Sequence, residues 1–307
     1  MTIPRCQVIP ESGHQTRFVM DGREVLSWHF PDTYPRPHFY PVVGPSGVSL
    51  TRMGHPGAPN HDHHQSLWFA HHKVLGISFW NNASPALIRQ SQWFAYQDGE
   101  DSCQMAVNLQ WLDGHDPRPL LDQQLICSVQ PEAKTGEFTI ELQSRFIPTS
   151  GDLEFQQTNF GFLALRVARS ISAHFGGGLL TSSTGAQGER DIFGKPAEWM
   201  DYSGPSGTAG NEVTEGLTYF DHPTNPGQPT GWHVRDDGWM CASPCMQTPL
   251  ITRKDDPLIL RYLILVHAGA VDPRRNARVH SEFSQLPPFV LERAAEPHTA
   301  WRVTRED

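Results

Sequence analysis

Between Ala86 and Phe155 the chain repeats one pattern. Runs of about ten residues (Ala86 to Tyr96, Cys103 to Trp111, Leu120 to Gln130, Glu137 to Phe146) are cut by Asp98-Gly99, by Asp113-Gly114-His115-Asp116-Pro117 and by Lys134-Thr135-Gly136. Short β-rich runs separated by tight-turn residues at that spacing are the signature of an antiparallel meander, and this limits the fold more than any other feature. Within the last run Phe138, Ile140 and Leu142 alternate with Thr139, Glu141 and Gln143. That period of two predicts a strand buried on one face, with its other face in solvent.

The rest extends the same reading. Thr16 to Met20, Asp21-Gly22 and Arg23 to Phe30 form a hairpin pattern, since Asp-Gly supplies the positive φ values of a two-residue turn. His38 to Val43 and Val48 to Thr51 are predicted short strands around Gly44-Pro45-Ser46-Gly47, Leu258 to His267 a buried strand, and Phe289 to Glu292 a closing one. Asp272-Pro273 starts the single convincing helix, with Asp as cap, Pro at the first position and Val279, Phe283 and Leu286 on one stripe. The segment from Gly176 to Gly231, rich in Gly, Ser, Thr and Pro, is predicted to be extended, ordered loops. The expectation is an all-β chain: one large antiparallel β-sandwich domain over residues 1–307, with roughly fifteen strands and one short C-terminal helix.

Composition narrows the partners. A formal charge of -9 without a basic patch excludes a phosphate-tracking surface, so nucleic acid is not an expected partner. The N-terminal Met1 to Cys6 has no apolar signal core and no later stretch is long and apolar enough for a bilayer, so neither membrane nor secretion is expected. Five cysteines, an odd number, fit free thiols in a cytoplasmic protein better than a disulfide framework. Cys241 and Cys245 form the one close pair, a spacing that could serve a metal or a redox couple, although without a neighbouring Cys or His pair chance spacing is the favoured reading.

The chemistry concentrates in Asn60-His61-Asp62-His63-His64-Gln65-Ser66-Leu67-Trp68-Phe69-Ala70-His71-His72, with five imidazoles and a carboxylate. Imidazole titrates near neutrality and binds metals through nitrogen, so the cluster suits proton transfer or metal binding. The plain alternative is a solvated loop. If the segment is extended, His61 and His63 point the same way and form the start of a divalent-metal site. A second group, Glu189, Asp191, Lys195, Asp201 and Tyr202, offers acids, bases and a hydroxyl, although half of such loop charges are ordinary surface. A third runs from Phe220-Asp221-His222-Pro223-Thr224-Asn225-Pro226 into Thr230-Gly231-Trp232-His233-Val234-Arg235-Asp236, where prolines stiffen the backbone that carries the polar groups.

Three motifs together resemble the bacterial PmoA-like family, labelled "methane oxygenase PmoA": Arg36 to Pro41 with Gly44 to Gly47 and Thr51-Arg52; His61 to His64 with Leu67 to His71; and Phe220 to Pro226 with Trp232 to Arg235. With Trp199 to Gly204 the resemblance spans roughly residues 20 to 270. Methane oxidation is rejected, because the membrane subunit that the label names crosses a bilayer and this chain has no segment to do so. The resemblance implies a sandwich akin to the galactose-mutarotase supersandwich, in a family associated with sugar catabolism. The family pattern matches at His61, His63, His64, Trp68, His71, Asp201, Tyr202, His222, Asn225, His233 and Arg235. It departs at Gln65-Ser66, where the resemblance leads one to expect Arg-Gly, and the departure puts an anion-binding role for that position in doubt.

The functional expectation is a carbohydrate-active enzyme transferring protons on a sugar or keto-sugar by epimerisation, ring opening, β-elimination or hydrolysis. His64, His222, His233 and Tyr202 are the candidate catalytic groups. Arg52, Trp68, His71, Asp201, Asn225, Trp232 and Arg235 are the candidate substrate contacts. His61 and His63 are the candidate ligands of a divalent metal in a metal-dependent lyase or hydrolase. A non-catalytic carbohydrate-binding protein is the alternative from another class. All of these require that the imidazoles around 61–71 and 222–233 meet in one aromatic-walled cleft.

Overall fold

The computed structural model describes residues 3–306 except 56, 59, 60, 133 and 135, so Asn60 of the His motif and Thr135 of the third meander turn lie outside the described residues. The N-terminal strands are β1 (Cys6–Glu11), β2 (Gln15–Met20), β3 (Arg23–His29), β4 (His38–Val42) and β5 (Leu67–His71). The predicted meander follows as β6 (Leu87–Gln97), β7 (Cys103–Leu112), β8 (Leu121–Pro131) and β9 (Phe138–Pro148). Then come β10 (Leu153–Phe155), β11 (Gly161–Arg166), β12 (Leu179–Ser182), helix α1 (Gly188–Ile192), β13 (Trp199–Thr208) and β14 (Asn211–Asp221). The chain continues through β15 (Trp232–Arg235), β16 (Trp239–Ala242), β17 (Leu250–Thr252), β18 (Leu258–Ala268), helix α2 (Pro273–Gln285), β19 (Phe289–Arg293) and β20 (Trp301–Arg305).

Two antiparallel eight-stranded sheets stack as a sandwich. The first has the order β1-β2-β3-β4-β5-β11-β16-β15 and the second β12-β13-β14-β18-β9-β8-β7-β6. Between them lies one continuous apolar core, in which Phe69 of the first sheet faces Tyr262 and Phe146 of the second at ring separations of 6.2 and 6.4 Å. Burial of large apolar side chains like these is the main stabilising contribution, roughly 1.5–3 kcal/mol each.

Alternation along each strand decides which residues reach the core and which reach the sheet's other side. In β5, Leu67 and Phe69 enter the core while Trp68 and Ala70 join a separate cluster on the outer side with Trp80, Ala164, Trp239 and Cys241. In β16, Met240 and Ala242 face the core, and Trp239 and Cys241 face outward.

Three expectations are corrected. The outer face of the meander sheet is not solvated. Helix α2 covers it through Val279 and Phe283 on Trp199, Phe220 and Leu263, and the β19–β20 hairpin covers it through Phe289 and Val303 on Ala95, Ala106 and Ile126. Thr139, Glu141 and Gln143 are therefore buried, with Gln143 Nε2 donating to Phe289 O and its Oε1 accepting from Phe289 N. The stretch predicted as loops between Gly176 and Gly231 contains two long strands, β13 and β14, paired over their whole length. The strand count is twenty among the described residues rather than fifteen, and α1 adds a short second helix to α2.

Candidate functional site

On the outer side of the first sheet a cavity of about 390 Å³ is lined by His61, His63, His64 and His72, by Trp80, Asn81, Phe160 and Trp239, and by Arg166, His233, Arg235 and Asp237. Its floor is three indoles in mutual contact: Trp68–Trp80 at 5.7 Å, Trp68–Trp239 at 5.3 Å and Trp80–Trp239 at 5.5 Å. All three are buried, and none of their Nε1–H groups has a hydrogen-bond partner. Buried indole N–H groups ordinarily find acceptors.

The loops over this floor are fixed by a buried cation. Arg36 donates to the carbonyls of Phe79, His63 and Trp80 and to Asn82 Oδ1 and Gln65 Oε1, which ties the His-rich turn to the Trp80 loop. Ser66 sits at φ 61, a left-handed conformation that favours glycine, and its hydroxyl donates to Thr51 Oγ1 at 2.7 Å. Residues 61–64 form a turn rather than a strand, which overturns the extended geometry assumed for His61 and His63.

That turn stacks its imidazoles. His61 and His63 lie 5.6 Å apart with an interplanar angle of 26°, and His64 packs edge-on against His63 at 4.4 Å and tilts over Trp239 at 4.7 Å. Among the described residues no group of three His, Cys, Asp or Glu side chains is arranged to hold a metal.

The opposite wall comes from the β15–β16 hairpin. His233 and Arg235 project outward from β15 while Trp232 and Val234 enter the core. The turn between the strands carries Asp237, and Gly238 at φ +103 lets it close, since a Cβ there would meet Val167 Cγ2 at 2.9 Å. Asp237 Oδ1 accepts from Arg166 Nη1 at 2.6 Å, Oδ2 bonds His55 Nε2 at 3.0 Å, and its main-chain oxygen accepts from Arg52 Nη2 at 2.7 Å. Burial, the largest single influence, works against the Asp237 charge, but the hydrogen bonds and charges of Arg166 and His55 together outweigh it and hold the carboxyl below its ordinary value. Arg235 pairs with Glu189 of α1 at 2.8 Å and lies over the Phe193 ring.

His233 Nδ1 lies 3.0 Å from Asn159 O, an acceptor, so Nδ1 carries the proton and Nε2 the lone pair. Burial, with Arg235 beside it, pulls its pKa down to about 4. Burial, with the Arg166 charge nearby, drives His64 far below its ordinary value, and its Nδ1 has no partner. Both rings are therefore neutral near pH 7, and both contact Trp239, His64 at 4.7 Å and His233 at 5.8 Å.

The candidates named from sequence separate into three places. His61, His63, His64, His233 and Arg235 line the cavity, Trp68 floors it, and Arg52 braces Asp237 from behind. Tyr202, His71 and Trp232 point into the core: Tyr202 donates to Arg235 O, His71 packs on Phe155 and Phe162, and Trp232 donates to Ala197 O. Asp201, His222 and Asn225 are on the far side of the second sheet or at its end. Asp201 bonds Thr218 and His267, His222 bonds Arg261 against the Phe283 ring, and Asn225 bonds Asp221 and the Arg261 backbone. The single-cleft expectation thus holds for His233 and not for His222. The sequence reading missed Arg166, Asp237, Trp80, Trp239 and Phe160. Asp237 lies in an Asp-Asp-Gly turn directly after the motif that ends at Asp236, and Arg166 lies outward on an apolar strand, which is the signal that was available.

The cysteine pair is split between two environments, Cys241 in the outer cluster and Cys245 in the core. Burial pushes both thiols up to about 12, so neither is a thiolate near neutral pH. No described helix is long and apolar enough to cross a membrane.

A family model described as a family of unknown function, DUF6807, matches residues 15–281. The chain belongs to DUF6807. The DUF6807 match contains every residue of the cavity and ends inside α2, before the β19–β20 hairpin. No curated protein matches the chain.

Proposed function

We propose that the cavity takes up a small carbohydrate or keto-sugar and that His233 moves a proton on it. The observation that carries this reading is the fixed tautomer: Asn159 O holds the Nδ1 proton, which leaves the Nε2 lone pair of a buried, neutral imidazole as a base in a cavity walled by indoles. The aromatic floor offers C–H faces of a sugar ring a surface, and Arg235, Asn81 and Asp237 offer its hydroxyls donors and acceptors. His233 takes the proton from the carbon next to a carbonyl or from the anomeric hydroxyl. His64, held neutral, donates an N–H to the oxygen on which charge develops, as a neutral imidazole does without first being protonated. Epimerisation, ring opening and β-elimination all begin with such a step. The motif resemblance to the PmoA-like family, and through it to mutarotase-type sandwiches, agrees with this reading at the level of fold.

A panel of sugars and 3-keto-sugars incubated in deuterated water tests it, with solvent exchange at carbon read by NMR. His233→Ala is expected to lose about a hundredfold or more in exchange rate, while His222→Ala, on the far sheet, leaves the rate per folded molecule unchanged. Sugar binding by both variants, with the parent giving neither exchange at carbon nor faster interconversion of anomers across the whole panel, would make this a carbohydrate-binding protein instead. A second measurement follows from the depressed pKa. The base works only when neutral and burial keeps it so well below the ordinary histidine range, so kcat/KM is expected to stay level as pH falls through about 6.5 and over the whole range in which the protein remains folded. A rising limb near the ordinary histidine value of about 6.5 would assign the base elsewhere.

A further inference from the structure

The side chain of Arg166 is 1% exposed and makes one hydrogen bond, Nη1 to Asp237 Oδ1, while Nε and Nη2 have no partner. A buried guanidinium with most of its donors unmet is costly, and this fold meets them elsewhere. Arg36, equally buried and one loop away, makes five hydrogen bonds, four of them through Nη1 and Nη2. The two unmet nitrogens of Arg166 are not an arbitrary pair. Nε and Nη2 form the side-on fork of a guanidinium, whose parallel N–H bonds match the two oxygens of a carboxylate or phosphoryl group. The same chain shows that fork filled at Arg5, where Nε and Nη2 donate to the two oxygens of Asp21 at 2.8 and 3.0 Å. At Arg166 the one neighbouring carboxylate, Asp237, is engaged by Nη1 and His55, and Arg52 adds a second guanidinium with Nε and Nη1 also unpartnered.

We infer that Arg166 is an oxyanion subsite of the cavity, so that the substrate is an acidic sugar whose carboxylate or phosphoryl group seats on its Nε–Nη2 fork. This rests on the carbohydrate reading above and sharpens it to a charged class. Arg166 lines the cavity together with His64 and His233, which places the anion and the proton-transfer groups in one chamber. The subsite holds the substrate by its charge while the imidazoles act on a neighbouring carbon.

Titration calorimetry with four probes tests it: glucuronate, glucose, glucose 6-phosphate and inorganic phosphate. The wild-type protein is expected to bind an acidic sugar roughly ten- to a hundredfold more tightly than glucose, the range for charge-assisted hydrogen bonds. Preference for glucuronate assigns a carboxylate, and preference for glucose 6-phosphate assigns a phosphoryl group. Arg166→Gln removes the preference, and Arg166→Lys, which keeps charge without the fork, restores only part of it. If Arg166→Gln does not fold, the matched probes on the wild type and the Lys variant decide. Equal affinity for glucose and both acidic sugars would overturn the subsite and leave the sugar reading standing. Binding of phosphate alone, lost in Arg166→Gln and weakened in Arg166→Lys, would support the subsite and overturn the sugar reading.

Discussion

Acidification from about pH 7 to about pH 4 is expected to unfold the protein, because its buried imidazoles are held neutral. In the unfolded chain each takes up a proton as pH falls below about 6.5. In the folded protein burial delays that uptake to about 4 for His222 and His233 and to about 3 for His38 and His71, and to a lower pH still for His64. Between those values the unfolded chain binds more protons, so stability falls as pH falls. Over the roughly 2.5 pH units between about 6.5 and about 4, each such histidine costs up to about 3 kcal/mol, and the sum is comparable with the whole stability of a domain, about 5–15 kcal/mol. Asp221 acts in the opposite sense. Burial raises its carboxyl to about 7, so it stays protonated in the folded state over the same window and gains stability on acidification, offsetting about one histidine. Thermal melts followed by circular dichroism in small pH steps measure the balance. A Tm that does not change over this interval would mean that the imidazoles are not held neutral.

Replacing Glu141 by alanine is expected to destabilise the protein by about 3–5 kcal/mol, the range for removing one partner of a buried ion pair. Glu141 is 5% exposed and accepts from Arg261 Nη2 at 3.2 Å and from Arg305 Nη2 at 2.5 Å. Without it the Arg261 guanidinium, buried under α2 against Phe283, faces His222 and Arg305 with no countercharge. Arg305 belongs to β20, so the same substitution also loosens the hairpin that seals the second sheet. Urea titration of Glu141→Ala beside Glu141→Ala/Arg261→Met separates the two effects, since the double variant removes the stranded charge and recovers part of the loss. A single variant with the wild-type midpoint would mean that Glu141 does not carry the burden of these cations.

The meander was legible because its strands keep apolar residues on the core face and are cut by turn residues at regular spacing. β13 and β14 were not, although they are as long. Apolar packing under α2 reaches their outer faces only at Trp199 and Phe220, and further along the pair the outer face is buried through hydrogen bonds and close backbone approach: Asp201 bonds Ser203, Thr218 and His267, and a Cβ on Gly216 would meet Ser203 Oγ at 2.6 Å. A strand built of Asp, Ser, Thr and Gly has the composition of a loop, and only the pairing partners reveal it. The site followed the same logic. His64 and His233 were found because they stand in dense polar motifs, whereas Arg166 stands alone in the apolar run Gly161–Arg166 and is brought to the cavity by sheet pairing with β5 and β16. His222 was misplaced because a loop of ten residues between β14 and β15 carries the chain from one sheet of the sandwich to the other, and proximity in sequence says nothing about which face each end serves.

The three touching indoles of the floor give the cavity an optical signature of its own. Coupled transitions of Trp68, Trp80 and Trp239 are expected to contribute to the near-ultraviolet dichroism, and an occupant that rests on Trp80 or Trp239 is expected to change that contribution. A spectrum recorded while a compound library is added therefore reports occupancy before any reaction is known.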